Sequence, residues 1–176
     1  HGSVAGVTTD TGWVMEHGDI NIEQFAPFDY VLLGDIHKTY QKLDDEGKVA
    51  YPGSLVQQNF GESMDKGFLL WDIQDKDNFT CEHYPLTNPK PFVTIELTPK
   101  GKMPKNLSIT DGARLRLVSQ NNLPLDVMRR AMDIAKTRFK PESVTFLNKA
   151  SGQRANVNDI TDGINIEDLR DIKVQE

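Results

Sequence analysis

Hydrophobic residues in the first half of the chain occur in short runs separated by polar turns, a pattern typical of β-strands. The longest run, residues 28–37, is almost continuously apolar until it ends in polar side chains, which predicts a strand buried on both faces. Shorter runs predict further strands at residues 48–53, 67–73 and 79–84, and residues 75–78 are predicted to be the hairpin loop between the last two. Up to residue 84 the sequence therefore predicts sheet and loops, with one short helix over residues 20–27.

A boundary is predicted at residues 85–91, where three prolines stiffen the backbone and discourage helix. Beyond it, alternating residues predict two half-buried strands, and Pro124 predicts the start of a helix that Pro141 ends. We expect the apolar stripe of this helix to contain Met128, Ala131, Ile134, Ala135 and Phe139. With a returning strand over 143–147, this part is predicted to be a small βαβ module.

The pattern as a whole predicts an α/β (α+β) fold in three parts. The first part covers residues 1–88 and is mainly sheet, and the second is the module at residues 89–150. Residues 151–176 are predicted to be a linker that leads into a helix over 165–172, with an Asn cap and apolar residues at a spacing of three.

Composition narrows the class of protein. The 176 residues are 38% hydrophobic and 26% charged, as in ordinary globular proteins, and no apolar run approaches the roughly 20 residues that span a bilayer. The single cysteine, Cys81, excludes an internal disulfide and a cysteine-based zinc cluster. We therefore expect a cytoplasmic protein whose metal sites use oxygen and imidazole ligands.

The net charge of −6 hides an asymmetry along the chain. Residues 1–90 carry 6 basic and 15 acidic side chains, whereas residues 91–154 carry 12 basic and 5 acidic ones. A basic block beside an acidic block is the pattern of a phosphate-binding surface next to a metal-binding one. The alternative interpretation is a set of unrelated solvated faces.

The candidate chemistry lies where the longest apolar run ends, at Gly34, Asp35 and His37. In an extended strand residues i and i+2 point to the same face, so the carboxylate and the imidazole would project together while Ile36 points into the core. Such a pair suits Mn, Fe or Zn, and Gly34 leaves the approach open. The alternative is that Asp35 begins a turn and His37 is a surface residue.

These residues belong to a larger set of motifs: His1-Gly2, the run at 30–37 ending in Gly-Asp-Ile-His, Tyr-Pro-Gly-Ser-Leu at 51–55, Asn-Phe-Gly-Glu at 59–62 and Lys-Gly-Phe at 66–68. In order and spacing the set resembles the calcineurin-like metallophosphoesterases. Within them it is most similar to the SbcD-type DNA repair nucleases and their eukaryotic meiotic-recombination counterparts, and above all to members from T-even phages.

The resemblance implies that residues 1–88 are the C-terminal part of a phosphoesterase β-sandwich domain. Residues 89–150 would be the capping domain that positions DNA, and residues 151–176 the linker and start of a partner-binding helix. His1 and His37 match metal-ligand histidines of the family. Asp35 occupies the place of a third histidine, a departure that we expect to preserve the ligand while changing metal preference.

The implied function is that of a fragment of a two-metal DNA exo- and endonuclease for double-strand-break repair and recombination. Manganese is the expected metal, with magnesium, iron or zinc as alternatives. The implied partners are DNA, an SMC-like coiled-coil ATPase of the SbcC type and a second copy that pairs through an N-terminal region. DNA phosphates are expected to contact Arg129, Arg130, Lys136 and Lys140.

Two other functions stay open at this point, and so does the origin of His1. The chain could come from a calcineurin-like phosphodiesterase that acts on small nucleotides, or from a non-catalytic DNA-binding or assembly module. His-Gly-Ser is also what a purification tag leaves, so His1 is either native or a remnant. Because the family's earlier metal motifs do not occur in the sequence, we expect this piece alone to bind metal weakly and not to cleave DNA.

Overall fold

The computed structural model describes residues 1–150 together with a strand at Gln153–Asn156. The fold is mixed α/β, as predicted, and it divides into two compact units, His1–Asn88 and a second unit that starts at Pro89. The identities assigned to these parts stay predictions, and the expected helix over 165–172 lies outside the described residues. None of the described helices is long and apolar enough to cross a membrane.

A three-stranded sheet organises the first unit. It is formed by β1 (Val31–Leu32), β2 (Gln41–Lys42) and β3 (Val49–Tyr51), in the order β1-β3-β2. The central strand β3 runs parallel to β1 and antiparallel to β2. A short 3-10 helix, Ile22–Phe25, precedes β1 where a short helix was predicted.

The prediction of one long strand over 28–37, buried on both faces, is wrong. Only two of these residues form strand β1, which lies at the sheet edge and, among the described strands, pairs with β3 alone. Phe28 is 65% exposed and Leu32 is 59% exposed. The backbone then leaves the extended conformation, because Asp35 has a φ of 113°. The motif residues therefore lie in a loop after β1.

A hairpin completes the first unit. Its strands, β4 (Gly67–Ile73) and β5 (Phe79–Pro85), pair antiparallel along their whole length. In the connecting loop the Asp75 carboxylate accepts hydrogen bonds from the backbone amides of Asp77 and Asn78. This use of aspartate to satisfy turn amides is common, and the predicted loop at 75–78 is confirmed.

In the part of the second unit that the structure describes, one helix covers a four-stranded sheet. Its strands pair in the order β6-β7-β8-β9, with the first three parallel and β9 antiparallel. The elements are β6 (Phe92–Glu96), β7 (Arg114–Ser119), α1 (Leu125–Phe139), β8 (Ser143–Asn148) and β9 (Gln153–Asn156). Strand β9 was not predicted, because its sequence is polar and shows no alternation.

Helix α1 packs a different stripe from the one predicted. Met132 is buried in the core, at 3% exposure, whereas Ile134 is 46% exposed. The reason is angular: at about 100° per residue, Met132 lies close to the line through Met128 and Ala135, and Ile134 lies about 120° away from it. The other predicted stripe residues are buried. The helix ends at Phe139, and its C-cap Lys140 has a left-handed backbone just before Pro141.

This packing predicts that Met132→Ala destabilises the second unit and Ile134→Ala does not. Removing a buried Met side chain costs about 2–5 kcal/mol of unfolding free energy, whereas an exposed substitution changes it by about 0.5 kcal/mol or less. Denaturant unfolding followed by far-ultraviolet circular dichroism measures both variants. Equal losses of unfolding free energy in Met132→Ala and Ile134→Ala would contradict the observed orientation of α1.

Candidate functional site

The N-terminal segment is attached to the first sheet by the hydroxyl of Tyr51. This side chain is fully buried, and its hydroxyl donates to the carbonyl of Gly2 at 2.7 Å and accepts from the amide of Val4 at 3.0 Å. Burial raises the pKa of Tyr51, so the hydroxyl keeps the proton that it donates. The Gly2 amide in turn donates to the carbonyl of Gly34 at 3.1 Å, which places His1 beside the loop after β1.

His1 and Asp35 meet at this point. The distance from His1 Nε2 to Asp35 Oδ1 is 3.2 Å, and a Cβ on Gly34 would lie 3.3 Å from His1 Nδ1. Glycine therefore leaves the room that the imidazole occupies. The positive φ of Asp35 costs about 1–3 kcal/mol in a residue with a Cβ, a strain that is typically retained at functional positions.

Asp35 and His37 line one cleft although they are not on a strand. Ile36 between them is 7% exposed and packs in the first unit's core with Val4, Val7 and Tyr51. With the intervening residue anchored inward, the two polar neighbours remain at the surface, as the sequence predicts. His1, Asp35 and His37 all line a cleft of about 510 Å³.

His37 is held by a carboxylate for which the sequence analysis predicted no role. Its Nδ1 lies 3.0 Å from Glu62 Oε1, and the Glu62 side chain is only 6% exposed. Glu62 also accepts from the Gln58 amide at 2.9 Å and from Asn59 Nδ2 at 2.8 Å. A carboxylate oxygen accepts hydrogen bonds, so this contact is compatible with an Nδ1–H tautomer of His37, in which Nε2 carries the ring's lone pair.

A buried ammonium group fixes the backbone of the same histidine. Lys66 is 1% exposed, and its Nζ donates to the His37 carbonyl at 2.6 Å and to Asp10 Oδ2 at 2.7 Å. Burying a charge is costly unless it is paired, and Asp10, at 7% exposure, supplies the pair. The i,i+4 spacing of Glu62 and Lys66 was visible in the sequence, whereas nothing in it connected Asp10 to them.

The pKa of Asp10 reflects this arrangement. Burial by itself would raise it, but hydrogen bonds from Lys66 and Ser63 and the charge of Lys66 outweigh burial and lower the pKa below the ordinary value of 3.8. Asp10 therefore stays ionised at neutral pH and keeps the Lys66 ammonium paired.

The cleft also contains an unsatisfied hydroxyl. Ser54 is 7% exposed and lines the cleft with the three candidate ligands, and its Oγ has no hydrogen-bond partner within residues 1–150. The Ser54 amide donates to the His37 carbonyl at 3.2 Å, so the hydroxyl's position is tied to the same loop. Buried polar groups are almost always satisfied, so the Ser54 hydroxyl is one of few exceptions in the part of the chain that the structure describes.

The donor set fits a divalent transition-metal ion in type but not in number. Two imidazoles and a carboxylate are suitable ligands for Mn, Fe or Zn, and Ser54 adds a polar wall. Over the part of the chain that the structure describes, however, no three His, Cys, Asp or Glu side chains are grouped closely enough to hold an ion. His1 and Asp35 form a pair, and His37 lies on the same cleft without completing a cluster.

The predicted DNA-contact residues lie on the exposed side of α1. Arg129 and Lys136 fall within about 20° of each other around the helix, Arg130 is offset by about 100°, and Lys140 is the C-cap residue just after α1. All four side chains are exposed. The neighbouring Arg138 instead donates to the carbonyls of Pro104 and Lys105, so it holds the preceding loop.

Comparison with known proteins adds sequence similarity but no function. No protein-family model matches the chain. The uncharacterized protein R555 of Acanthamoeba polyphaga mimivirus is 33% identical over 122 residues, which are 69% of this chain. The chain spans about 9% of the length of that viral protein, whose name states no activity.

The buried pair predicts an acid-sensitive effect of Asp10→Asn. At pH 7 the variant leaves Lys66 without its countercharge and should lose about 3–5 kcal/mol of unfolding free energy. Because the folded-state pKa of Asp10 is lowered, its stabilisation is complete above its ordinary value of 3.8 and is lost as pH falls through the folded value. The difference between the two proteins should therefore shrink below that pH.

Urea unfolding followed by tryptophan fluorescence measures this difference, since both tryptophans, Trp13 and Trp71, lie in the first unit. Asp29→Asn is the matched control, because Asp29 is exposed and its loss should change the unfolding free energy by about 0.5 kcal/mol or less. A pH-independent difference for Asp10→Asn would contradict the assigned pairing.

Proposed function

We propose that this chain is part of a two-metal, Mn-type DNA nuclease of the SbcD kind, which hydrolyses phosphodiester bonds in double-strand-break repair and recombination. The observation that carries the proposal is the convergence of His1, Asp35 and His37 on one cleft. Within it, the buried Glu62 carboxylate lies 3.0 Å from His37 Nδ1. The order and spacing of the sequence motifs support the same function.

In this proposal the chain contributes one side of the metal centre. His1 Nε2 and Asp35 Oδ1, 3.2 Å apart, would hold an ion together, and His37 Nε2 would be a further ligand on the same cleft. Bound divalent ions supply Lewis-acid polarisation of the phosphate and an activated water. The missing ligands would come from other segments of the longer protein, and so the isolated chain should bind metal weakly.

The second unit would bind the nucleic acid. Arg129 and Lys136 form a basic row along α1, Arg130 extends it around the helix, and Lys140 follows at the C-cap. Such a row can contact successive phosphates without reading bases, which suits an enzyme that processes DNA ends of any sequence. An SMC-like coiled-coil ATPase of the SbcC type and a second copy of the protein are the proposed partners, on the motif resemblance alone.

The catalytic test uses the full-length protein that contains this chain. It should cleave duplex DNA in the presence of Mn²⁺, and both His37→Ala and Asp35→Ala should abolish cleavage because each removes a ligand. His17→Ala is the matched control, because His17 is exposed and does not line the cleft. Cleavage of a small phosphodiester but not of duplex DNA would favour the nucleotide phosphodiesterase instead, and unchanged DNA cleavage by His37→Ala would refute the site.

The DNA-binding part predicts a change in salt dependence. Replacing all four basic residues, Arg129, Arg130, Lys136 and Lys140, by Gln should lower the slope of log affinity against log salt by up to about 3 to 4, since each phosphate contact contributes about 0.9. Fluorescence anisotropy with a short duplex measures the slope.

The matched control for this measurement is a pair of single variants. Lys136→Gln should lower the slope by about 0.9, whereas Lys149→Gln removes the same charge outside the helix and should leave the slope unchanged. If the fourfold variant has the wild-type slope, the basic face of α1 does not contact phosphates.

A further inference from the structure

We infer that Glu62 is a positioning residue for the candidate metal centre, which fixes the Nδ1–H tautomer of His37 and so presents Nε2 to the cleft. The inference rests on the proposed function for what the ring would bind. Its structural basis is the 3.0 Å contact between His37 Nδ1 and Glu62 Oε1 together with the burial of Glu62. Histidines that ligate metals commonly donate their other ring nitrogen to a carboxylate in this way.

The surroundings of Glu62 make it an acceptor for every neighbour. Oε1 faces His37 Nδ1 and Asn59 Nδ2, while Oε2 accepts from the Gln58 amide and lies 3.9 Å from Lys66 Nζ. Two of these donors, the backbone amide and the ammonium, cannot reverse their roles. The carboxylate is therefore held in place independently of His37, and it determines where the imidazole proton resides.

Lys66 fixes the main chain of His37. Its Nζ donates to the His37 carbonyl at 2.6 Å, and the Ser54 amide donates to the same oxygen at 3.2 Å. Gly53, with a φ of 90°, permits this approach, because a Cβ there would lie 2.9 Å from the His37 carbonyl oxygen. The main chain of His37 is thus held by Lys66 and Ser54, and its ring by Glu62.

The substitution Glu62→Gln should reverse the tautomer. The amide oxygen of Gln would face the Gln58 amide and Lys66, which only donate, so its NH₂ group would face His37 Nδ1 and the Asn59 side chain. The Asn59 amide would have to turn its oxygen toward this NH₂ group. His37 Nδ1 would then have to accept, the proton would move to Nε2, and the nitrogen facing the cleft would lose its lone pair. Because Gln has the shape of Glu, the loop should keep its conformation.

Long-range ¹H–¹⁵N spectra of the metal-free chain at pH 8.5, where imidazoles are neutral, report the tautomer directly. The His37 signals are identified by their loss in His37→Gln. We expect Nδ1–H in the wild type and Nε2–H in Glu62→Gln. Ser63→Ala is the matched control, because it lies in the same segment and removes one hydrogen bond to Asp10 but none to His37. In this variant His37 should keep the Nδ1–H tautomer.

An Nε2–H tautomer in the wild type would overturn the inference without any variant, even if Glu62→Gln failed to fold. An Nδ1–H tautomer that persists in folded Glu62→Gln would also overturn it.

Mn²⁺ titration gives the second measurement: Glu62→Gln should weaken Mn²⁺ binding about 10–100-fold relative to wild type and Ser63→Ala. If the tautomer differs between wild type and Glu62→Gln as expected but the full-length protein binds no Mn²⁺, the proposed function fails and the role of Glu62 in fixing the His37 tautomer stands.

Discussion

The candidate site depends on one buried ammonium group. Lys66 is 1% exposed and donates at once to a carboxylate and to a main-chain carbonyl, so it connects three segments that are distant in sequence. An unpaired charge there would cost several kcal/mol, and the fold avoids this only by bringing Asp10 and the His37 loop to the same place. The loop's conformation is therefore a condition for the stability of the first unit.

A second constraint acts on the opposite side of the same loop. The Tyr51 hydroxyl joins Gly2 and Val4 to the central strand β3, and this contact places His1 beside Gly34 and Asp35. Strain at Asp35 is retained because the buried Ile36 and the flanking hydrogen bonds determine the backbone around it. The site is thus assembled from loops held by buried polar side chains, rather than from residues along a strand.

The second unit follows simpler rules. An apolar stripe on α1 packs against a largely parallel sheet, and basic side chains lie on the exposed side of the helix. The burial of Met132 and the exposure of Ile134 show how narrow the apolar stripe of α1 is. A residue two positions away along the chain is displaced by about 200° around the helix, so a residue's hydrophobicity alone does not place it in the core.

The sequence by itself determined the α/β class, the hairpin, the helix and most strands of the second unit, because these depend on local periodicity and turn residues. It also located Asp35 and His37, since their spacing and the residues around them are local. Tertiary structure alone decided that the long apolar run is mostly loop, that His1 meets Asp35, and that Asp10, Glu62 and Lys66 support His37. These contacts join residues 25 to 56 positions apart, and no local pattern encodes which buried charge will pair with which.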